Sequence, residues 1–324
     1  MPALSVILCT RNPDRERLAR TLTGLAAQSL QAPAIEVLLI DNGSTPPLAE
    51  QSLPVPVPGL RIVRETTPGL TPARLRGIAE ANGELLVFVD DDNVLAEDFL
   101  VNALAAFSQN LTLGAAGGPI HPEFESAPPD WLPEFYGLLA LHDHGPLPKF
   151  ANGGPAAPWP NFAPVGAGLC IRRSFAENYT KLVKSDASRA ALDRRAGELT
   201  SGGDNDLVFS TLHAGGQVAY LPLLRLTHLI PTGRLNPRYL ARLNAGIQRS
   251  WVRVLSLHQQ CPWPPISPWT VPLRSFRIWF RARGWRGPVE RIRYCGLRGR
   301  FLGQADLSSK RKVDSIKSKH GLHP

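Results

Sequence analysis

The sequence predicts an α/β fold with a mostly parallel central sheet flanked by helices. Three observations predict it. Apolar runs such as Leu85-Leu86-Val87-Phe88-Val89 carry β-branched residues without polar alternation, the pattern of strands buried on both faces. Amphipathic helical stretches separate these runs at short intervals, as parallel strands with right-handed crossovers require. Several runs stop at a polar or acidic residue (Thr10, Asp41, Asp90), and such sheets bind ligands beyond the carboxyl ends of their strands.

Each element follows from local signals. Residues 4–10 read as a strand, and Asp14 as the N-cap of an amphipathic helix running to about Leu30. Ile35–Ile40 is a second strand ending at Asp41-Asn42-Gly43-Ser44, and Leu60–Arg64 a third. Thr71 is expected to cap a helix from about Ala73 to Asn82, with Pro72 at its first position. The fourth strand carries Asp90-Asp91-Asp92, a helix spans about Ala96 to Gln109, and a strand runs from Gly114 to Ile120. Residues 122–164, rich in Pro, Gly and Trp, show no periodicity and read as a functional or mobile segment. A strand from Val165 to Ile171 follows, then a helix from about Arg173 and a polar segment from about Ser185 to Thr200. Asp204 and Asp206 open another helix, strands lie near 217–221 and 225–230, and a helix runs from about Pro237 through His258.

Composition narrows the function. Of 324 residues 43% are apolar, ample for a core, and no run approaches the ~18–20 apolar residues that span a bilayer. The first residues lack a basic region and a cleavage site, so they read as a strand rather than a signal peptide. Cys9, Cys170, Cys261 and Cys295 form no metal-type spacing and read as reduced cytosolic thiols. The net charge of +9 is uneven: residues 271–324 hold 14 Lys/Arg and 3 Asp/Glu, a net of +11, and the other 270 hold 22 and 24, a net of −2. The near-neutral body argues against nucleic-acid binding there, and the tail points to an anionic surface.

Asp90-Asp91-Asp92 by itself fits either a cation site or a solvated acidic turn. Adjacent carboxylates repel, and Mg²⁺ or Mn²⁺ with substrate phosphates would relieve them. Strand alternation would turn Asp90 and Asp92 to one side and Asp91 to the other. A dehalogenase-type phosphatase also begins with strand carboxylates, but on an early strand rather than the fourth.

Five ordered motifs give a resemblance: Val6 through Asn12, Val37 through Ser44, Gly69 through Glu84, Phe88 through Asp92, and Gly203 through Leu207. Together they resemble family 2 glycosyltransferases, inverting enzymes of the GT-A nucleotide-sugar fold, over roughly residues 4–260. The resemblance implies a GT-A domain over 1–262, with a nucleotide-binding half (1–120) and an acceptor half (121–262), then a basic, aromatic, helical appendage over 263–324.

It also implies site residues. Asp204 matches the general base that deprotonates the acceptor, although Gly203 stands where the family has Glu; helix N-capping would also explain Asp204 and Asp206. Thr10, Asn12, Asp41, Gly69, Arg74, Asp90, Asp206 and Trp251 fall on the substrate side. Asp41 would accept a uracil imide N–H, unless it only caps its turn, and Arg74 would line the nucleotide pocket, unless it is a surface helix arginine like Arg76. Asp92, Asp90 and His228 would hold Mg²⁺ or Mn²⁺; a lone His is also often structural. Gln248-Arg249-Ser250-Trp251 is one residue short of the family's processive Q-x-x-R-W signature, which argues for a single transfer per binding event.

Trp131, Tyr136 and Trp159 fit either an acceptor-side lid or packing of their loop. Phe276, Ile278, Trp279, Phe280 and Trp285, set among arginines, fit first an interfacial membrane segment, then a packed helical pair, then a nucleic-acid arm. The expectation is an inverting, metal-dependent glycosyltransferase using a nucleoside-diphosphate sugar, UDP-sugar favoured, on a glycan or lipid-linked glycan. Its expected place is the inner face of a bacterial cytoplasmic membrane, as a peripheral protein. The alternatives are a metal-dependent phospho- or nucleotidyltransferase and an inactive nucleotide- or glycan-binding scaffold.

Overall fold

The computed structural model describes residues 2–30, 34–193 and 199–319, with side chains to residue 309. Part of the polar segment read at 185–200 (residues 194–198) lies outside the described residues. The chain divides into two compact units: residues 1–128, 139–191 and 203–232, and residues 129–138, 192–202 and 233–324.

In the first unit the chain runs β1 (Leu4–Thr10), α1 (Arg15–Ala26), β2 (Ile35–Asp41), β3 (Leu60–Arg64), α2 (Leu70–Glu80), β4 (Leu85–Asp90), β5 (Asn93–Leu95), α3 (Phe99–Gln109), β6 (Leu113–Gly117) and β7 (Ile120–Phe124). After β8 (Lys149–Ala151) come β9 (Cys170–Arg172), α4 (Arg173–Ser185), α5 (Ala187–Ala190), α6 (Gly203–His213), β10 (Gln217–Tyr220) and β11 (Leu226–Ile230). Eight strands form one sheet in the order β3-β2-β1-β4-β9-β6-β10-β8, and three form another, β5-β11-β7. β1 pairs in parallel with both β2 and β4. β9 runs antiparallel to β4 and β6, and β8 antiparallel to β10.

Burial of β1 explains its place at the centre of the first half-sheet. Leu4, Val6, Ile7 and Leu8 are 0% exposed, and each such side chain contributes about 1.5–3 kcal/mol when removed from water. The register then sets the site. Thr10 pairs with Asp41, Cys9 with Asp90 and Asp41 with Arg64, so four polar strand ends share one edge. Asp14 caps α1 as expected, accepting from the backbone N–H of Glu16 and Arg17.

Four elements differ from the sequence reading. α2 begins at Leu70 with Gly69, not Thr71, as its N-cap, because Gly69 takes φ 132, a conformation side chains disfavour. β4 ends at Asp90, and Asp91-Asp92 form a turn into β5. Strand alternation therefore does not reach Asp92, and the expected pairing of Asp90 with Asp92 on one side does not hold. The run read as Gly114–Ile120 is two strands, β6 and β7, in different sheets. The run read as Val165–Ile171 is a loop that becomes strand only at Cys170.

The second unit holds α7 (Pro237–Leu257), α8 (Val271–Arg281) and α9 (Pro288–Lys319). Asn236 caps α7 by accepting from Arg238 N–H, and Pro237 takes the first position, where a missing N–H costs nothing. Arg249 Nε and Arg253 Nη2 of α7 reach Asp306 Oδ2 of α9 at 2.7 and 2.6 Å. The last segment of this unit begins at residue 233 and so includes α7.

Candidate active site

The loops beyond β1, β2 and β3 are stapled by side chains of the ordered motifs. Thr10 is 5% exposed and donates its hydroxyl to Asp91. Asn12, at φ 48, donates its N–H to Ser44 Oγ at 2.8 Å and accepts from Thr45 N at 2.8 Å. Asn42 donates from Nδ2 to the Thr67 carbonyl at 2.7 Å and accepts Gly69 N–H on Oδ1 at 2.8 Å. That bond fixes the start of α2. Asp91 is thus tied into the network through Thr10.

Asp41 is 1% exposed; Ser44 N–H donates to Oδ1 at 2.8 Å and Leu48 N–H to Oδ2 at 3.2 Å. Burial pushes its carboxyl up, but hydrogen bonds from the Ser44 hydroxyl and these two N–H groups, with nearby Arg64, outweigh it. The carboxyl is held below its usual range. Asp41 therefore shapes its loop.

Arg74 and Arg76, two residues apart on α2, take opposite surroundings. Arg76 pairs with Glu80 at 2.8 Å with its side chain 45% exposed. Arg74 is 9% exposed, its guanidinium 5.8 Å from the centre of the Phe88 ring. The two nearest heavy atoms to a Cβ built on Gly166 would be Arg74 Nη2 at 2.3 Å and Asp204 Oδ2 at 3.2 Å. A side chain there would displace one of these groups, because the 165–169 loop passes directly over both.

Asp204 lies in the first turn of α6, half-exposed. Oδ2 accepts Gly166 N–H at 2.9 Å and Oδ1 accepts Asn205 N–H at 2.9 Å, so both oxygens have a fixed direction. A carboxylate held beside a guanidinium can take a proton from one partner while the cation faces another's negative charge. Asp206 is different. It is 0% exposed and ion-paired with Arg189, so the substrate-side role read for it does not hold; it faces the interior.

Asp92 is 5% exposed and Asn93 0%; Asn93 Nδ2 donates to Asp92 Oδ1 at 3.1 Å, and Asp90 N–H donates to Asn93 Oδ1 at 3.2 Å. Antiparallel pairing of β5 with β11 sets His228 opposite Asn93, which brings His228 Nε2 to 3.4 Å from Asp92 Oδ1. The other ring nitrogen, Nδ1, lies 3.0 Å from the Leu139 carbonyl, an acceptor only, so Nδ1 carries a hydrogen. Nε2 then meets the carboxylate through a proton or a shared cation. An Nδ1–H bonded to a carbonyl is also the usual support of a metal-bound histidine, so this pair fits a divalent ion. Among the described residues no group of three or more His, Cys, Asp or Glu side chains gathers as a metal site. The expected set of Asp90, Asp92 and His228 thus reduces to a pair, because the chain turns after Asp90. Mg²⁺ and Mn²⁺ are commonly held by one or two side chains plus substrate phosphates.

Trp159 packs on Phe209 with ring centres 4.9 Å apart, which anchors its loop on the first unit, and Trp131 meets Phe135 edge-on at 6.0 Å within the second. Trp251 is half-buried on α7 of the second unit.

Glycosyl transferase family 2 matches residues 5–180, which hold every site residue above as far as Leu139 and Gly166. The chain belongs to glycosyltransferase family 2. It is 28% identical over 255 residues to the succinoglycan biosynthesis protein ExoM of Rhizobium meliloti, covering 74% of this chain and 71% of that protein. It is 30% identical over 128 residues to an N-acetylglucosaminyltransferase of Bradyrhizobium elkanii, 37% of this chain and 67% of that one. The crystal structure of S. aureus TarS 1-349 superposes with a TM-score of 0.50 at 14% identity, over 97% of this chain and 92% of that one, and shows the shared GT-A fold. This family 2 protein is thus a glycosyltransferase of glycan biosynthesis.

Proposed function

We propose that this glycosyltransferase is inverting and metal-dependent, and that it moves a sugar from a nucleoside-diphosphate sugar, UDP-sugar favoured, to a hydroxyl of a glycan or lipid-linked glycan. The observation that carries the proposal is the Asp204–Gly166–Arg74 arrangement: a half-exposed carboxylate with both oxygens directed, beside a buried guanidinium. Asp204 takes the proton from the acceptor hydroxyl. The acceptor oxygen forms its bond to the anomeric carbon on the face opposite the diphosphate, and the bond to the diphosphate oxygen breaks with its electron pair. Inversion follows from that in-line path. Arg74 faces the charge that develops on the leaving group, in a buried setting where such stabilisation is worth most. A bound Mg²⁺ or Mn²⁺ would neutralise the diphosphate, held by Asp92 and His228.

The stapled loops at Asn12, Asn42 and Gly69 support a base-and-ribose pocket beside Asp41 and Asp90. A carboxylate has about four lone-pair sites, so Asp41 keeps capacity for a uracil imide N–H beside its backbone donors. Among the described residues no helix is long and apolar enough to cross a membrane. A peripheral position at the inner face of a bacterial membrane, where a lipid-linked acceptor would lie, belongs to this proposal. The relative 21% identical over 144 residues, a glucosyl-dolichyl phosphate glucuronosyltransferase of Haloferax volcanii, carries a lipid-linked substrate in its name and supports that class of acceptor.

Asp204→Asn is the test. It is expected to lower kcat by ~10²–10⁴-fold, the usual value of a general base, with UDP binding unchanged. Full transfer by that variant would remove Asp204 from the role.

A further inference from the structure

α8 has two apolar faces; among the described residues one packs within its own unit and the other is exposed. Val271 and Ser275 are 8% and 7% exposed, and Ile278 is half-buried one turn on, at the spacing of a single face. Val271 clusters with Ile266 and Ala305, packed against Phe301 and Leu302 of α9. On the opposite side, Trp269, Leu273, Phe276 and Phe280 follow at intervals of four, three and four residues and are 91%, 55%, 61% and 53% exposed. Phe276 and Phe280 meet at 4.9 Å, and Phe280 and Trp285 at 5.5 Å, so these three rings form one continuous patch, with Leu273 and Trp269 exposed on the same side. Large contiguous apolar patches on a protein surface mark interaction sites.

The structure also sorts the five apolar residues singled out in the sequence. Trp279 is half-buried and stacks edge-on against Tyr294 at 4.8 Å, and Ile278 turns inward with it. Phe276, Phe280 and Trp285 face out. Arg274, Arg277 and Arg281 line one flank of the outer face, all exposed. The net charge of this region is strongly positive: 14 Lys/Arg against 3 Asp/Glu over residues 271–324, in a chain whose remainder is net −2.

We propose that this outer face docks on an anionic lipid surface. Trp269, Leu273, Phe276 and Phe280 would enter the headgroup boundary, and Arg277 and Arg281 would pair with lipid phosphates. Aromatic and leucine side chains on one face with arginines beside them are the features of an interfacial helix, and the arginine flank complements anionic headgroups. The inference extends the peripheral location proposed above and is independent of the reaction assigned to Asp204.

The test is cosedimentation of the full chain with phosphatidylglycerol vesicles and, separately, with phosphatidylcholine vesicles. Binding to the first, little to the second, and release by added salt are expected. Phe276→Ser with Phe280→Ser should weaken binding by about tenfold or more, because affinity scales with the apolar area inserted. Arg277→Gln and Arg281→Gln should each weaken it by about fivefold. Both sets are exposed, so thermal midpoints should not move. The phenylalanine variant keeps every C-terminal basic residue, so undiminished binding by it would overturn the proposal. So would equal binding to both lipids. A wild-type dimer that the same variant converts to a monomer would also overturn it and give this face to a second copy.

Discussion

Asp204 and Asp206 stand two residues apart on one turn of α6 and do unlike work. Residues at that spacing lie on opposite sides of a helix, so one carboxylate reaches Gly166 and the other is 0% exposed against Arg189. A buried carboxylate deprived of its cation is costly. Arg189→Met is therefore expected to lower unfolding free energy by about 3–5 kcal/mol, read by urea denaturation, while Glu50→Gln, on the surface, should change little. Candidate site residues were legible in the sequence where they end or follow an apolar run or open a helix, as Thr10, Asp41, Asp90, Asp92 and Asp204 do, whereas His228 lies inside β11 and rests on the family resemblance. Their supporting partners were not. Arg189 lies in a polar stretch without periodicity, Asn42 acts through backbone groups far along the chain, and Asn93 acts through a local turn to Asp90 N–H. Arg74 could not be told from Arg76, since the packing of α2 on Phe88 decides which is buried.

At the scale of elements, apolar runs and helix caps placed the core strands and most helices of the first unit. Two of the differences share a cause: glycine. Gly69 started α2 three residues early, and Gly166 and Gly168 hold residues 165–169 as a loop although their neighbours look strand-like. That loop has a function of its own in this account. A methyl at Gly166 would meet Arg74 Nη2 and Asp204 Oδ2, both ends of side chains that can shift. Gly166→Ala is thus expected to leave the thermal midpoint nearly unchanged while lowering kcat by about 10²-fold, the scale of a displaced catalytic group. A large loss of stability with normal kcat in the folded fraction would make the loop merely structural. Short strands such as β5 and β8, three residues each, carry too little pattern to be read, yet β5 is what sets His228 beside Asp92.

For the whole molecule, charge was the most legible property. The body is near neutral and the C-terminal region is strongly basic. α7 reads as the last helix of the body, and its ion pairs to Asp306 bind it instead into the unit of α8 and α9. Long-range pairing of this kind leaves no local signal. The family, the GT-A fold and the enzymatic class are established; the donor and the metal are the central proposal. The measurement that reaches it most directly is calorimetric titration of UDP into the full chain with Mn²⁺ and with EDTA. Binding is expected to be tighter by about tenfold or more with Mn²⁺, and that difference to be lost in Asp92→Ala. Absence of binding by UDP, TDP and GDP alike in the presence of Mn²⁺ would contradict it.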